Sequence, residues 1–288
     1  MFVKILNNTL KSIADAVRSK TGETGTMLPS EIPDKIKGIS SGGVDLSTIA
    51  DGTYKWGDYI ATEKEIKTPV YSFQNMTSYT NPNLTSITAN NAFSQSKLTT
   101  FSAPNLSTVR GTFTFSYCSN LENVEFSDNL TTTSQAMFYA CNGFEIVPRA
   151  AYWTNISGQA FACCNRLERA MVRNATNIES FAFTQCPRLK LVDLSKIIEL
   201  KGHVFDTCHE LSEVWIGENC KTINNLAFSN SRCQLNLTIE ATTPPALNGA
   251  FTFASGGQIV SIKVPAESVD EYKAAINWKA YSDIISAI

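Results

Sequence analysis

Along the middle of the chain the apolar positions recur in one phrase, F-x-x-C-x-x-L-x-x-V-x-I. It reads Phe115-Cys118-Leu121-Val124-Phe126, Phe161-Cys164-Leu167-Ala170-Val172, Phe183-Cys186-Leu189-Val192-Leu194 and Phe205-Cys208-Leu211-Val214-Ile216. A looser copy runs Phe138-Cys141-Phe144-Val147. Flanking copies keep the Phe but carry Ser for Cys, at Phe93-Ser96 and Phe228-Ser231, with a last trace at Phe251. The five phrase cysteines lie 22 or 23 residues apart. Self-similarity at a constant short period is the signature of a stacked solenoid, whose terminal repeats are atypical. The V-x-I ending alternates like a short strand. Strands of successive turns are therefore predicted to pair side by side at about 4.8 Å, so that seven rungs form a curved slab about 30 Å long. Leu84-Thr85-Ser86-Ile87 and Leu106-Ser107-Thr108-Val109 start the repeat, and the solenoid is predicted over residues 71–250.

The pattern changes at both ends. In 251–288, Val260, Ile262 and Val264 alternate with Ser261 and Lys263 as a closing strand, and Ser268-Val269-Asp270-Glu271 reads as a capping box. The helix it opens would share Val269, Tyr272 and Ile276 on one face, a spacing that Tyr281, Ile284, Ile285 and Ile288 repeat. Together they predict a strand-helix cap that covers the last open strand edge. In 1–39, Leu10, Ile13, Ala14 and Val17 sit at i, i+3, i+4 and i+7 with Gly22 as a stop, and Ile32, Ile36 and Ile39 follow Ser30. Such a helix pair is too small to stand alone and must dock on something. Between them, 40–70 opens on the flexible Ser40-Ser41-Gly42-Gly43 and holds Tyr54, Trp56, Tyr59 and Ile60, expected as a few strands that cap the first rung.

Composition fits a packed solenoid with polar turns: 43% hydrophobic and 17% charged residues. A net charge of −2 without a Lys/Arg cluster argues against nucleic acid or an anionic membrane as partner. Eight cysteines would suggest disulfides, but cysteines at one position of stacked turns form an internal column of small apolar groups. All eight are expected as free thiols, with Cys163, Cys220 and Cys233 outside the column. Met1–Leu6 begins no signal-peptide-length apolar run, because Asn7, Asn8 and Thr9 interrupt it. No segment reaches transmembrane length, so no membrane insertion is expected.

Catalysis finds little support. His203 and His209 lack metal spacing, and Gly256-Gly257 lacks the context of a phosphate loop. A Cys208-His209 nucleophile pair would need an exposed, electropositive thiol, whereas the phrase points Cys208 inward. No cofactor, metal or enzymatic activity is expected.

What remains is a binding face. The middle residue of V-x-I points away from the core, giving a predicted outward column of Ser102, Glu125, Pro148, Met171, Asp193, Trp215 and Thr238. The residue before V adds Asn123, Arg169 and Glu213. Trp215, flanked by Glu213 and Asp193, is the leading candidate: an exposed indole can stack on a sugar ring while carboxylates take its hydroxyls. The expected ligand is a bacterial surface glycan or protein, held by Trp215, Asp193, Glu213, Met171, Arg169, Glu125, Asn123 and Thr238.

The phrase, from Phe93 onward, resembles the bacterial leucine-rich repeats of the surface-antigen kind, called BspA-like. Thr243-Pro244-Pro245-Ala246-Leu247 and Ile262-Lys263-Val264-Pro265, with Ser268, Tyr272, Trp278 and Tyr281, look like that family's ending. The resemblance implies a leucine-rich-repeat superhelix with short parallel strands and an irregular convex side, acting in adhesion at the bacterial cell surface. The run from Leu10 through Lys20-Thr21-Gly22, with Leu28-Pro29 and Ile32-Pro33-Asp34-Lys35-Ile36-Lys37-Gly38-Ile39, resembles a segment of tail-associated structural proteins of phages of Gram-positive hosts. It implies a virion tail or baseplate component, assembled in the host cytoplasm, that joins other tail proteins through residues 1–39. Clustering as a homotrimer would raise the avidity of its receptor-binding solenoid. The missing export signal favours the virion expectation over the cell-surface one.

Overall fold

The computed structural model describes residues 64–69 and 76–288. The expected helix pair of 1–39, the joint after it and the Tyr54–Ile60 stretch lie outside the described residues.

The described chain is a parallel coil of about nine turns, two more than the phrase alone predicts. The additional turns carry strands without a complete phrase. One edge of the turns contributes short strands to the first ladder: β2 (Ser78–Thr80), β4 (Thr100–Ala103), β6 (Asn123–Phe126), β8 (Arg169–Met171), β10 (Leu191–Leu194), β12 (Glu213–Ile216), β14 (Gln234–Ile239) and β16 (Gln258–Val264), with only an isolated bridge from Ile146 to Arg169 in the turn between β6 and β8. A second edge contributes β1 (Glu65–Ile66), β3 (Ser86–Ile87), β5 (Thr108–Val109), β7 (Asn155–Ile156), β9 (Asn177–Ile178), β11 (Glu199–Leu200), β13 (Thr222–Ile223) and β15 (Ala246–Leu247). The coil thus already includes Glu65–Ile66, inside the segment expected as a separate cap. The phrase sets the register: Val192 pairs Val214, which pairs Leu237, and Leu194 pairs Ile216, which pairs Ile239. All six are buried, so each turn closes its neighbour's core.

Opposite the first ladder the phenylalanines stack. Phe93, Phe115, Phe138, Phe161, Phe183, Phe205 and Phe228 are buried, with successive centroids 5.4 to 5.9 Å apart and near-parallel rings. That spacing exceeds the roughly 4.8 Å between paired strands. The rings stack at their own contact distance, while the backbones beneath them stay hydrogen-bonded from turn to turn. On the Phe side the turns from Phe93 to Phe205 each take two left-handed residues, two before and two after the Phe, such as Phe113 and Tyr117 (φ 54° and 59°) or Phe181 and Gln185 (65° and 56°), and the Phe228 turn takes Asn230 alone. These conformations are costly for residues with a Cβ. In exchange they aim N–H groups at the next turn: Phe113, Phe115 and Tyr117 donate to the carbonyls of Gln135, Met137 and Tyr139 at 3.0, 2.8 and 2.7 Å.

All eight cysteines are free, and the five column thiols are fully buried. They are more than apolar filler. Each donates to the Phe carbonyl of the preceding turn: Cys118 to Phe93 (3.1 Å), Cys141 to Phe115 (3.0 Å), Cys164 to Phe138 (3.3 Å), Cys186 to Phe161 (3.1 Å) and Cys208 to Phe183 (3.2 Å). Ser231 Oγ makes the same bond to Phe205 at 3.0 Å. Ser for Cys at Ser231 is thus a swap between two small donors.

The cap forms, with a different local chain path from the one expected. A register shift at Leu235/Asn236 inserts an extra residue in β16, so Ile259 and Ile262 are buried and Val260 points outward. Ser268 makes no side-chain cap bond; a 3₁₀ turn over Ala266–Ser268 runs straight into α1 (Val269–Ala274). The helix ends before Ile276, which is 85% exposed, and Lys279–Ile284 is a 3₁₀ turn leading to β17 (Ile285–Ala287), which pairs with β16. Ile288 is exposed. The closure is made by side chains that satisfy the last turn's backbone: Tyr272 Oη donates to Ala241 O (2.8 Å), Trp278 Nε1 to Pro245 O (2.7 Å) and Asn277 Nδ2 to Leu247 O (2.5 Å), and Phe251 N–H donates to Tyr281 Oη (2.7 Å).

Candidate ligand-binding face

The outward residues of the first ladder form two columns. Parallel register sets Met171, Asp193, Trp215, Thr238 and Lys263 in one file, and Arg169, Leu191, Glu213, Asn236 and Ser261 in the other. The alternation that buries Val214 and Ile216 turns Glu213 and Trp215 outward, and Trp215 is 43% exposed. Glu213 and Arg169 are exposed; Met171, Leu191 and Thr238 are half-buried. Lys263, which follows Thr238 in register, and Leu191, which lies between Arg169 and Glu213, extend the face beyond the residues singled out in the sequence.

Asp193 departs from expectation. It holds its place between Met171 and Trp215, but its side chain is only 2% exposed and is not available to a ligand. Its Oδ1 accepts from Ser195 N–H (3.2 Å) and Ser195 Oγ (2.5 Å), and its Oδ2 accepts from Arg173 Nε (2.6 Å). The spacing Asp193-Leu194-Ser195 is an Asx-turn signal, in which the carboxylate turns back on its own chain at the strand's end. Arg173, 60% exposed, takes over the charged role beside the column. The electrostatics of the patch are therefore mixed: Glu213 against Arg169, Arg173 and Lys263.

Asn123 and Glu125 stand apart from this group. Both are exposed on β6, and Glu125 Oε2 accepts from Ser102 Oγ at 2.5 Å, but the ladder breaks between β6 and β8. At the break the phrase reads Val147-Pro148-Arg149. Proline brings no N–H to a ladder, and Arg149 occupies the place held by Phe126, Val172, Leu194 and Ile216 in the other turns. Pro148 is half-buried, not an open member of the outward column. Arg149 is pressed over the rings of Tyr152 (4.3 Å) and Phe126 (5.6 Å) and pairs with Asp128 at 3.1 Å. Burial pulls its guanidinium pKa down from the usual value.

The residues weighed for catalysis have structural occupations. Cys208 is buried, and desolvation pushes its thiol well above the ordinary range. His203 stacks on Phe181 (4.9 Å) and its Nδ1 lies 2.8 Å from Ser229 Oγ. That hydroxyl donates to Asp206 Oδ1 at 2.7 Å, so it ties two turns together. Asp206 also accepts from Thr207 and Asn230, and these bonds hold its carboxyl below its usual pKa against the opposing effect of burial. Among the described residues no group of three or more His, Cys, Asp or Glu side chains is placed to hold a metal ion, and no helix is long and apolar enough to cross a membrane.

Comparison with known proteins agrees with the repeat. The family described as BspA type leucine rich repeat region matches residues 61–168 and 144–255, with six copies. Solved structures with similarity include a leucine-rich repeat protein from Bacteroides ovatus (18% identity, TM-score 0.44, covering 63% of this chain and 59% of that one). Two others are the pneumococcal vaccine antigen PcpA (13%, TM-score 0.37, 79% and 82%) and a leucine rich cell surface protein from Faecalibacterium prausnitzii (15%, TM-score 0.32, 79% and 88%). The chain thus spans 59% of the length of the B. ovatus protein. No curated protein matches the sequence. With the family's repeat spanning most of the coil, the chain belongs to the BspA-type leucine-rich-repeat family.

Proposed function

We propose that this protein is a non-enzymatic adhesion or interaction protein of the bacterial cell surface, which holds a glycan or protein partner on its first strand ladder around Trp215. The observation that carries this reading is the patch itself. A 43% exposed indole stands on a rigid parallel strand, with Met171 and Thr238 in its own file and Arg169, Leu191 and Glu213 in the adjacent one. Large amphipathic aromatics on an ordered scaffold are frequent contact hot spots, because little side-chain entropy is lost when a partner covers them. Membership in a family of surface-type repeats supports the location. Binding of the full-length chain to arrays of bacterial and host glycans and proteins tests it. Trp215→Ala is expected to weaken the strongest hit at least tenfold, and Glu213→Gln and Arg173→Gln to change its selectivity. Undiminished binding by Trp215→Ala would overturn the proposal.

Residues 10–39 support a narrower reading, in which the same platform is carried on a phage or prophage tail and joined to it by residues 1–39. Surface labelling of intact producing cells with an antibody, set beside sedimentation of the chain with tail particles after lysis, separates the two. Co-sedimentation that is lost when residues 1–39 are deleted supports the tail. Labelling of washed, unlysed cells supports the cell surface.

A further inference from the structure

One step of the coil lacks pairing in both ladders. In the first ladder a backbone bond recurs from turn to turn: Glu122 N–H to Thr99 O (2.9 Å), Glu168 to Glu145 (2.8 Å), Lys190 to Glu168 (2.9 Å) and Ser212 to Lys190 (2.9 Å). The member from Glu145 to Glu122 is missing. In the second ladder the bond recurs as Ser107 to Thr85 (3.1 Å), Thr154 to Thr131 (2.8 Å), Thr176 to Thr154 (2.9 Å) and Lys221 to Ile198 (2.8 Å). There the member from Thr131 to Ser107 is missing. Both gaps fall between the turn of residues 107–128 and the turn of residues 129–150. Among the described residues no backbone hydrogen bond joins 107–110 to 130–133 or 122–126 to 144–148, β5 pairs only with β3, and β6 pairs only with β4. Elsewhere one ladder covers for the other. Between the β9 and β11 edges the backbone tie is a single bond from Ile198 to Thr176 at 3.5 Å, but β10 and β12 of the same step pair over four residues.

What joins the two turns lies on the Phe side. Phe113, Phe115 and Tyr117 keep their bonds to Gln135, Met137 and Tyr139, the Phe115 and Phe138 rings stack at 5.5 Å, and Cys141 donates to Phe115 O. On the strand side the contacts are between side chains. The Phe126 ring lies 6.4 Å from Phe138 and 6.5 Å from Trp153, and Arg149 covers Phe126 and pairs with Asp128. Asp128 and Phe126 belong to the earlier turn and Arg149 to the later one. Packing is looser here than elsewhere: Val124 is half-buried where Val192 and Val214 are fully buried, and a recess of about 490 Å³ lies along the step, walled by Glu122, Val124, Glu145 and Pro148.

We infer that the coil bends at this step: the described residues up to 128 and those from 129 onward move as two blocks about the Phe-side seam, and the Arg149–Asp128 pair clasps them shut. Hydrogen bonds are directional, so a paired ladder fixes both the spacing and the angle of its turns. Apolar contacts are not, so rings and aliphatic groups keep the interior dry through a small rotation. Hinges between packed bodies are places where a few residues absorb such a motion. The clasp is easily released, because the Asp128 side chain is 75% exposed and an exposed ion pair holds weakly. The two blocks carry different parts of the outward face: Asn123 and Glu125 on the earlier, Arg169, Glu213 and Trp215 on the later. Bending therefore changes the spacing between these two groups and fits the face to partners of different curvature.

The test is double electron–electron resonance on the full chain carrying Cys163→Ser, which leaves the other native thiols buried and only introduced cysteines free to take a spin label. Asn123→Cys with Glu213→Cys spans the step, and Ile146→Cys with Asn236→Cys lies within the later block. All four positions are exposed on the first ladder, and each pair is four turns apart, about 19 Å. The first pair is expected to give a distance distribution at least twice as wide as the second. Asp128→Asn is expected to widen the first by at least a further half and to leave the second unchanged. Equal widths for the two pairs, or an Asp128→Asn variant that leaves the first pair as it was, would overturn the inference. No ligand enters the measurement, so its failure is distinguishable from failure of the Trp215 reading.

Discussion

A thiol that donates to a carbonyl one turn back explains why the repeat tolerates Ser at Ser231 and why it uses Cys elsewhere. Sulfur fills more of the column than oxygen and costs less to bury, while both satisfy a carbonyl that water cannot reach. Cys164→Ser is accordingly expected to lose less stability in urea than Cys164→Ala, which leaves Phe138 O with Cys141 N–H as its remaining donor and opens a void, at a cost of about 1–2 kcal/mol. Desolvation raises Cys118 from 9.0 to about 11 and Cys164 to about 12, and raises Cys141 and Cys186 as well. The folded values lie above the unfolded one, so the unfolded chain loses protons first as pH rises. Stability from these groups is whole below about pH 9 and falls through the folded values, by about 1.4 kcal/mol per thiol per pH unit. Urea midpoints measured from pH 8 to 10.5 should decline steeply, and less steeply in Cys164→Ser; a flat profile would contradict buried thiols. The spacing made the column legible, but not its hydrogen bonds: only Ser at the same position hinted at a donor. Asp193 misled because alternation describes where a side chain starts, and the Asx turn to Ser195 decides where it ends.

At the scale of the strand and the turn, burial and bonding predict which changes the coil feels. Trp215→Ala removes an exposed ring and should alter stability by at most about 0.5 kcal/mol. Trp278→Ala removes a buried ring and a donor to Pro245 O, and should cost about 3–5 kcal/mol in a chemical denaturation series. Equal effects would show that the cap does not close the coil. Strand phase was readable wherever the V-x-I phrase was intact. It failed in β16, where the bulge opposite Leu235/Asn236 turns Val260 out, because an inserted residue shifts alternation without altering composition. The short 3₁₀ pieces on either side of α1 were equally hidden, since helical spacing of apolar residues does not set how far a helix runs. Pro148 and Arg149 were the readable sign of the broken ladder: one cannot donate, and the other cannot leave its charge in a core.

For the molecule as a whole, the repeat dictates a coil whose inside is filled by stacked Phe, Leu and Cys and whose first ladder turns Glu213 and Trp215 away from that core. Period, class and closing cap were all present in the sequence, since each follows from apolar residues recurring at fixed intervals. The face was legible in part. Trp215 and Glu213 stand where alternation places them, whereas Arg173 and Lys263 enter the patch through an ion pair and through strand register across turns. The most direct measurement is cysteine alkylation of the native, unreduced chain at pH 8, counted by mass spectrometry before and after unfolding in guanidinium. The stacked coil predicts one readily modified thiol in the folded protein, the half-exposed Cys163, and eight after unfolding. Rapid native modification of the column cysteines, or fewer than eight in the unfolded chain, would contradict it.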